Sequence, residues 1–279
     1  MKSQLEKSKE FEALHRNGAC FVIPNPWDCG SARLLQHLGF RALASTGAGY
    51  AFSQGRSDLS VDAQAMMPHL AELAAATDLP VSADLQNGFG DAPEAAARAI
   101  IEAARAGVVG GSIEDASGNA GQPVYDIGLA AERIRAAAQA ARSLGFKFML
   151  TARAENYLYG RPDLRDTIQR LQAYQEAGAD VLFAPGIQSK DDIRAIVSSV
   201  DRPLNVIMGF QGVQLTVDEL RELGVARVSL GGSLARAAYG ALLRAATEVQ
   251  SSGTFSYAEE AIPAKEMNRI FSAGDLFAR

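Results

Sequence analysis

The chain has few of the residues that most often mark redox, metal and acid–base sites. Only two of its 279 residues are cysteines, Cys20 and Cys29, too few for a disulfide framework or a zinc cluster. Both fall in or beside the first apolar segment, where small buried thiols are common, and their scarcity suits a reducing, cytoplasmic setting. The three histidines, His15, His37 and His69, all lie early in the chain within segments of helical spacing. Core or surface positions suit them better than proton transfer at a shared site. No stretch approaches the roughly 20 apolar residues of a membrane span. The opening MKSQLEKSKEFEALHRNG is polar and amphipathic, without the apolar centre of a secretory signal. Nor is there a basic excess: 27 Lys and Arg against 32 Asp and Glu leave a net charge of -5, which excludes an extended nucleic-acid surface.

What the chain does have is rhythm. Eight short apolar runs recur: CFVIP (20–24), ALAST (42–46), VSAD (81–84), GGSIED (110–115), KFMLTAR (147–153), DVLFAP (180–185), LNVIM (204–208) and RVSLG (227–231). Ala- and Leu-rich segments of helical spacing separate them, at 28–38, 60–76, 92–106, 128–144, 163–177, 190–199, 216–223 and 233–250. That alternation is the signature of parallel strands joined by crossover helices. A (β/α)8 TIM barrel needs about 250 residues, so the α/β fold expected is one barrel domain over 1–279. A doubly wound open sheet is the alternative. An extra helix at 3–17 is placed to cover the barrel's bottom, and 251–279 form a C-terminal extension with a helix at 257–271. Helix-opening chemistry stands at Asp28, at Ser60, and at Thr216 with Glu219 three residues on as a capping box.

Chemistry in such barrels sits at the C-terminal ends of the strands, and here those ends are polar. Ser45 and Thr46 close the second run, Asp84 the third, Glu114 and Asp115 the fourth, and Arg153 with Glu155 the fifth. Asn205 lies within the seventh, and Asp58 sits in the loop SQGRSD after the second. Carboxylates brought together this way repel one another unless a cation compensates. With oxygen ligands and almost no His or Cys, the ion expected is Mg2+, with Mn2+ as a substitute. Asp84 would bind it directly, and Glu114 and Asp58 would hold its waters. The same acids would otherwise pair with Arg56 or Arg153, or cap helices. Arg153 carries a planar fork suited to a carboxylate, and an ion pair with Glu155 or Asp115 is its other use. STGAGY (45–50) offers backbone N–H groups for the far end of a ligand, or is only a tight turn. Proton transfer would fall to a carboxylate, to Tyr157 or Tyr159, or to water. GFQGVQ and SLGGSLA suit packing glycines better than a phosphate site.

The stretches NPWDCGSARLLQHLGFRALASTGAG (25–49), GRSD (55–58), PVSADLQNGFGD (80–91), GGSIEDASG (110–118) and TARAEN (151–156) together resemble the isocitrate lyase / phosphoenolpyruvate mutase superfamily. They follow its order and spacing, from about residue 20 to beyond 230. The resemblance implies a (β/α)8 barrel with Mg2+ at its mouth, and dimers or tetramers that exchange the helix after strand eight. It implies small 2-oxo or 2-hydroxy carboxylates as substrates, handled through an enolpyruvate-like oxyanion. By position Asp84 matches the metal-binding aspartate, Glu114 and Asp58 the acids on its waters, and Arg153 the carboxylate-binding arginine. Ser45, Thr46 and Gly47 match donors to the substrate, and Trp27 with Asp28 the pocket-floor word. Two departures stand out. Gln86 replaces a second aspartate, and ASGNAGQPVYD (116–126) replaces the Lys-Lys/Arg-Cys-Gly-His loop of the lyases. The second argues against isocitrate or methylisocitrate lyase proper, and the absent lysine against an efficient phosphonopyruvate mutase or hydrolase. A metal-dependent carbon–carbon lyase is therefore expected, with 116–126 closing over the substrate. The alternatives are phosphonopyruvate/phosphoenolpyruvate chemistry, with Asn119 or Asn205 near phosphorus, and a barrel that binds a 2-oxo acid without turnover.

Overall fold

Every one of the eight apolar runs becomes a parallel strand in the computed structural model, which describes residues 2–16, 18, 20–187, 189–212 and 214–275. The strands are β1 (Phe21–Ile23), β2 (Leu43–Ala44), β3 (Val81–Asp84), β4 (Gly110–Glu114), β5 (Met149–Arg153), β6 (Val181–Phe183), β7 (Leu204–Ile207) and β8 (Arg227–Ser229). The helices are α1 (Gln4–Arg16), α2 (Cys29–His37), α3 (Gly47–Ser53), α4 (Ala63–Ala76), α5 (Pro93–Arg105), α6 (Ile127–Arg142), α7 (Leu164–Ala177), α8 (Lys190–Ser199), α9 (Val217–Glu222), α10 (Ser233–Ser252) and α11 (Ala264–Asp275). The ladder runs β1-β8-β7-β6-β5-β4-β3-β2, so neighbours in sequence are neighbours in space and β1 returns to β8. Between β1 and β2 a 3.0 Å bond from the Ala44 N–H to the Pro24 carbonyl continues the ring. The result is a nearly closed (β/α)8 barrel, and the open doubly wound alternative is excluded.

Register decides what meets at the mouth. Glu114 on β4 lies beside Arg153 on β5, and Asp84 on β3 beside Ser112. Below, α1 plugs the barrel, as its position predicts: Phe11 and Leu14 pack with Phe21, Ile23, Met149 and Val181. Gly110 admits the plug, since a Cβ there would stand 2.8 Å from the Phe11 ring. Outside, α5 and α6 approach through alanines, among them Ala96, Ala99, Ala137 and Ala141, because small residues let helices pack closely.

Three boundaries differ from expectation. STGAGY is not a simple turn: Thr46 caps the short helix α3 through the Gly49 N–H at 3.1 Å. The cap of α4 is Asp62 rather than Ser60, because the Asp62 carboxylate accepts the Ala65 N–H. The extension is a 3-10 turn at Ser256–Glu259 followed by α11, not one helix over 257–271. The caps at Asp28 and Thr216 are as predicted, both as capping boxes. No helix among the described residues is long and apolar enough to cross a membrane.

Candidate active site

The ends of all eight strands line a cavity of about 500 Å³. At its centre the Arg153 guanidinium touches three carboxylates. Nη1 lies 3.2 Å from Asp84 Oδ1, Nη2 lies 3.1 Å from Glu114 Oε2, and Nε donates to Glu155 Oε1 at 2.7 Å. Phe183 underlies the same guanidinium, 5.3 Å from its ring centre. Both uses of Arg153 considered from the sequence thus concern one place: it sits among the expected acids, and Glu155 is its tightest partner. Asp115 is not. It turns away to Arg170 at 3.0 Å and the Tyr174 hydroxyl at 2.6 Å, as a buried structural pair.

The charges do not balance. Burial pushes the Glu114 carboxyl up, Arg153 pulls it back only in part, and Glu155, Asp84 and Asp115 add to the rise. Glu155 is raised for the same first reason, burial. Burial alone would lower Arg153, but the Glu155, Glu114 and Asp84 charges overcome it, so the guanidinium titrates above its ordinary value. Asp58 reaches the cavity from its loop, where desolvation raises its carboxyl and the Leu59 N–H offsets that in part. One guanidinium therefore touches three carboxylates, with Asp58 as a fourth on the wall, where Arg227 and Arg236 are the other cations. Among the described residues no three His, Cys, Asp or Glu side chains converge as ready-made direct metal ligands. An excess of hard oxygen donors without a full ligand cage fits Mg2+, which takes one or two carboxylates and keeps several waters.

Asp84 is held from two sides. The Gly47 N–H donates to Oδ2 at 2.9 Å, and Ser45 Oγ accepts the Asp84 N–H at 2.8 Å. Of the three expected donors the Gly47 N–H is taken by Asp84, while Ser45 Oγ and Thr46 Oγ1 accept, from the Asp84 and Gly49 N–H groups, so both hydroxyls keep a proton to donate. All three still line the cavity. A Cβ at Gly47 would stand 3.2 Å from Asp84 Oδ2, so glycine permits the contact. Gln86, also on the wall, takes a left-handed φ of +50° and donates its amide to the Val61 carbonyl at 3.2 Å.

Other expected residues lie elsewhere. Trp27 is not on the cavity wall; it packs behind α3 against Gly49, and Asp28 caps α2. Asn205 lines the cavity, but its amide is engaged with Ser229 Oγ at 2.9 Å and Arg227 Nε at 2.8 Å. Segment 116–126 closes on itself through the Ala116–Val124 bridge and the Ser117 N–H to Pro123 carbonyl bond, and contributes nothing to the wall. Asn119, at its tip, accepts the Gly121 N–H on Oδ1 at 2.9 Å and the Gln122 N–H on its carbonyl at 3.1 Å. Tyr159 lines the cavity and Tyr157 does not. Burial, then Glu114 and Glu155, raise the Tyr159 hydroxyl. Asn25 is a residue that strand-end reasoning misses: its Oδ1 accepts the Leu230 and Gly231 N–H groups at 2.8 Å each, and its amide donates to the Ser45 carbonyl. Its only signal is an amide between two prolines straight after β1.

The phosphoenolpyruvate phosphomutase profile matches residues 11–250, most of the barrel and its site. The chain belongs to that family. An uncharacterized Mycobacterium tuberculosis protein is 34% identical over 222 residues, covering 79% of this chain and 81% of the other. The 2-methylisocitrate lyase of Bacillus subtilis is 33% identical over 211 residues, 72% of this chain and 67% of the other. A solved structure from Burkholderia cenocepacia J2315, described only provisionally as a lyase/mutase, shares 58% identity and a TM-score of 0.95 over 96% of both chains. The 2,3-dimethylmalate lyase structure, described as a PEP mutase/isocitrate lyase superfamily member, aligns with a TM-score of 0.86 at 27% identity, over 100% of this chain and 99% of its own. The family members compared thus include enzymes named as lyases.

Proposed function

We propose that this chain is a divalent-metal-dependent lyase that breaks a carbon–carbon bond beside the C2 oxygen of a small 2-oxo or 2-hydroxy carboxylate. The observation that carries this reading is the single Arg153 guanidinium set among Asp84, Glu114 and Glu155 at the mouth of the cavity. Asp84 would hold Mg2+, or Mn2+ in its place, with Glu114 and Asp58 on its waters. Such an ion supplies Lewis-acid polarisation of the C2 oxygen, worth several kcal/mol of charge stabilisation. Arg153 would trade part of its carboxylate contact for the substrate's C1 carboxylate in a two-point hydrogen bond. Glu155, buried behind it, keeps the fork aimed into the cavity. As the C2–C3 bond breaks, a carboxylate of the cluster would take the C2 hydroxyl proton, a 2-oxo substrate first adding water at C2, and Tyr159, kept protonated at neutral pH because burial raises its hydroxyl, can hand a proton to the departing carbon.

The relatives' names point the same way, since 2-methylisocitrate and 2,3-dimethylmalate are both small hydroxy carboxylates. Phosphorus chemistry has less support: 116–126 carries no lysine, and Asn119 lies off the wall. We also propose a homodimer or homotetramer that covers α10, whose Leu242 and Leu243 are 62% and 67% exposed. A proton and phosphorus NMR time course tests the activity, with Mg2+ or EDTA and a panel of oxaloacetate, dimethylmalate, methylisocitrate, 2-oxoglutarate and phosphonopyruvate. The expected result is EDTA-sensitive loss of one carbon substrate with matching formation of a smaller oxo acid, oxalate or succinate. It should vanish in Asp84→Ala. Phosphorus shifts alone, or silence across the panel, would overturn the lyase reading.

A further inference from the structure

Beneath the acids, the barrel interior holds a second guanidinium that the proposed chemistry does not use. Arg227 opens β8, is 5% exposed, and lines the same cavity. Nε donates to Asn205 Oδ1 at 2.8 Å, Nη2 to Thr151 Oγ1 at 2.9 Å, and Nη1 lies 3.3 Å from His15 Nε2. All three partners are neutral. His15 cannot supply a counter-charge: its Nδ1 lies 2.8 Å from the Phe11 carbonyl, which only accepts, so Nδ1 carries the proton and Nε2 accepts from Arg227. Among the described residues no carboxylate pairs with Arg227, and burial alone lowers its pKa, to about 9. An arginine is rarely buried without an anionic partner, because desolvation costs several kcal/mol per ion.

The surroundings share that polarity. Barrel interiors are usually packed with Val, Ile and Leu, yet here Ser82, Ser112, Thr151, Asn205 and Ser229 face the cavity with Arg227. Of the five N–H groups on a guanidinium, the three bonds leave one on each terminal nitrogen. We propose that Arg227 and these side chains form a second carboxylate subsite on the barrel floor, which takes the distal carboxylate of a dianionic substrate whose oxo end lies at Arg153. This orientation rests on the lyase reading above. The spacing suits it. Thr151, which Arg227 touches, precedes Arg153 by two residues on β5, a rise of about 6.6 Å, and a four- or five-carbon diacid spans about that length. An arriving carboxylate would give the buried cation the partner it lacks, so the site selects dianions over monoanions of equal length.

Calorimetry of the Mg2+-loaded protein tests this with three probes: 2-oxoglutarate, its monoanionic five-carbon counterpart 2-oxopentanoate, and oxalate, too short to reach the floor. The wild type should prefer 2-oxoglutarate over 2-oxopentanoate by about 30-fold or more, as expected for a desolvated charge pair. Arg227→Met should abolish the preference and leave oxalate binding unchanged. Equal affinities in the wild type, or a preference that survives Arg227→Met, would overturn the subsite. Should the methionine variant not fold, Arg227→Lys, which keeps the charge but loses the fork, should reduce the preference; an undiminished one would count against the proposal. Failure of oxalate to bind would reject the reading at Arg153 instead. The floor is then judged alone by soaking wild-type crystals in bromide: an anomalous peak within hydrogen-bonding reach of the Arg227 guanidinium supports an anion site, and its absence overturns it.

Discussion

Gln86 concentrates the energetics of the mouth in one side chain. It holds a left-handed φ of +50°, a region disfavoured for long side chains, while its amide is tied to the Val61 carbonyl. Asp at this position would tolerate the backbone better and add a carboxylate beside Asp84, at the loss of one hydrogen bond worth about 1 kcal/mol. Gln86→Asp should therefore tighten Mg2+ binding by about tenfold in calorimetry, equivalent to ~1.4 kcal/mol. An unchanged or weaker affinity would mean that the metal lies away from Asp84. Residue identities were legible where strand ends dictated them: Asp84, Glu114 and Arg153 meet as their positions implied. Arg227 was not legible, because a charged residue heading RVSLG reads as the solvated flank of a strand. Only closure of the barrel shows that it faces inward. That Asp84 takes the Gly47 N–H was not legible either, because nothing in the sequence places that backbone donor against the carboxylate.

Among the elements, the Ala-rich helices α5 and α6 were recognisable because each buries one long face, and the periodicity survives over several turns. The seven-residue α3 was missed because two turns are too short for a period to emerge, and its glycines read as a turn. Segment 116–126 is expected, from its Gly, Ser and Asn content, to close over a substrate. Composition does not disclose that its backbone pairs with itself. In α10 the mismatch between pattern and burial is the informative feature. Twenty residues long, it buries only Ala235 among the described side chains, while Leu242 and Leu243 stand exposed. Fully burying a leucine is worth about 1.5–3 kcal/mol, so two at a shared interface are a large part of its stability. Leu242→Glu with Leu243→Glu should convert the proposed dimer or tetramer to a monomer by light scattering, with helix content by circular dichroism unchanged. An unaltered particle mass would remove α10 from the interface.

Over the whole molecule, the plug under the barrel couples stability to pH. His15 on α1 is buried against Phe11, Phe21 and Arg227. Burial, then the Arg227 charge, pushes its pKa down to about 3 from an ordinary value of 6.5. Between those values the unfolded chain binds a proton that the folded protein excludes, so stability rises with pH through that window and is lost as pH falls. The slope for one such group is about 1.4 kcal/mol per pH unit. Glu114 acts in the opposite sense, since its carboxyl is raised by burial and the folded state holds its proton more tightly than the unfolded chain does. The two contributions overlap in the wild type, and only a difference separates them. His15→Gln removes the titrating ring and can keep an acceptor for Arg227, leaving Glu114 untouched. Urea unfolding from pH 6 to pH 4 should show the wild type losing stability faster than His15→Gln by about 1.4 kcal/mol per unit. Parallel lines would mean that the ring takes up its proton inside the folded barrel, with α1 yielding beneath it.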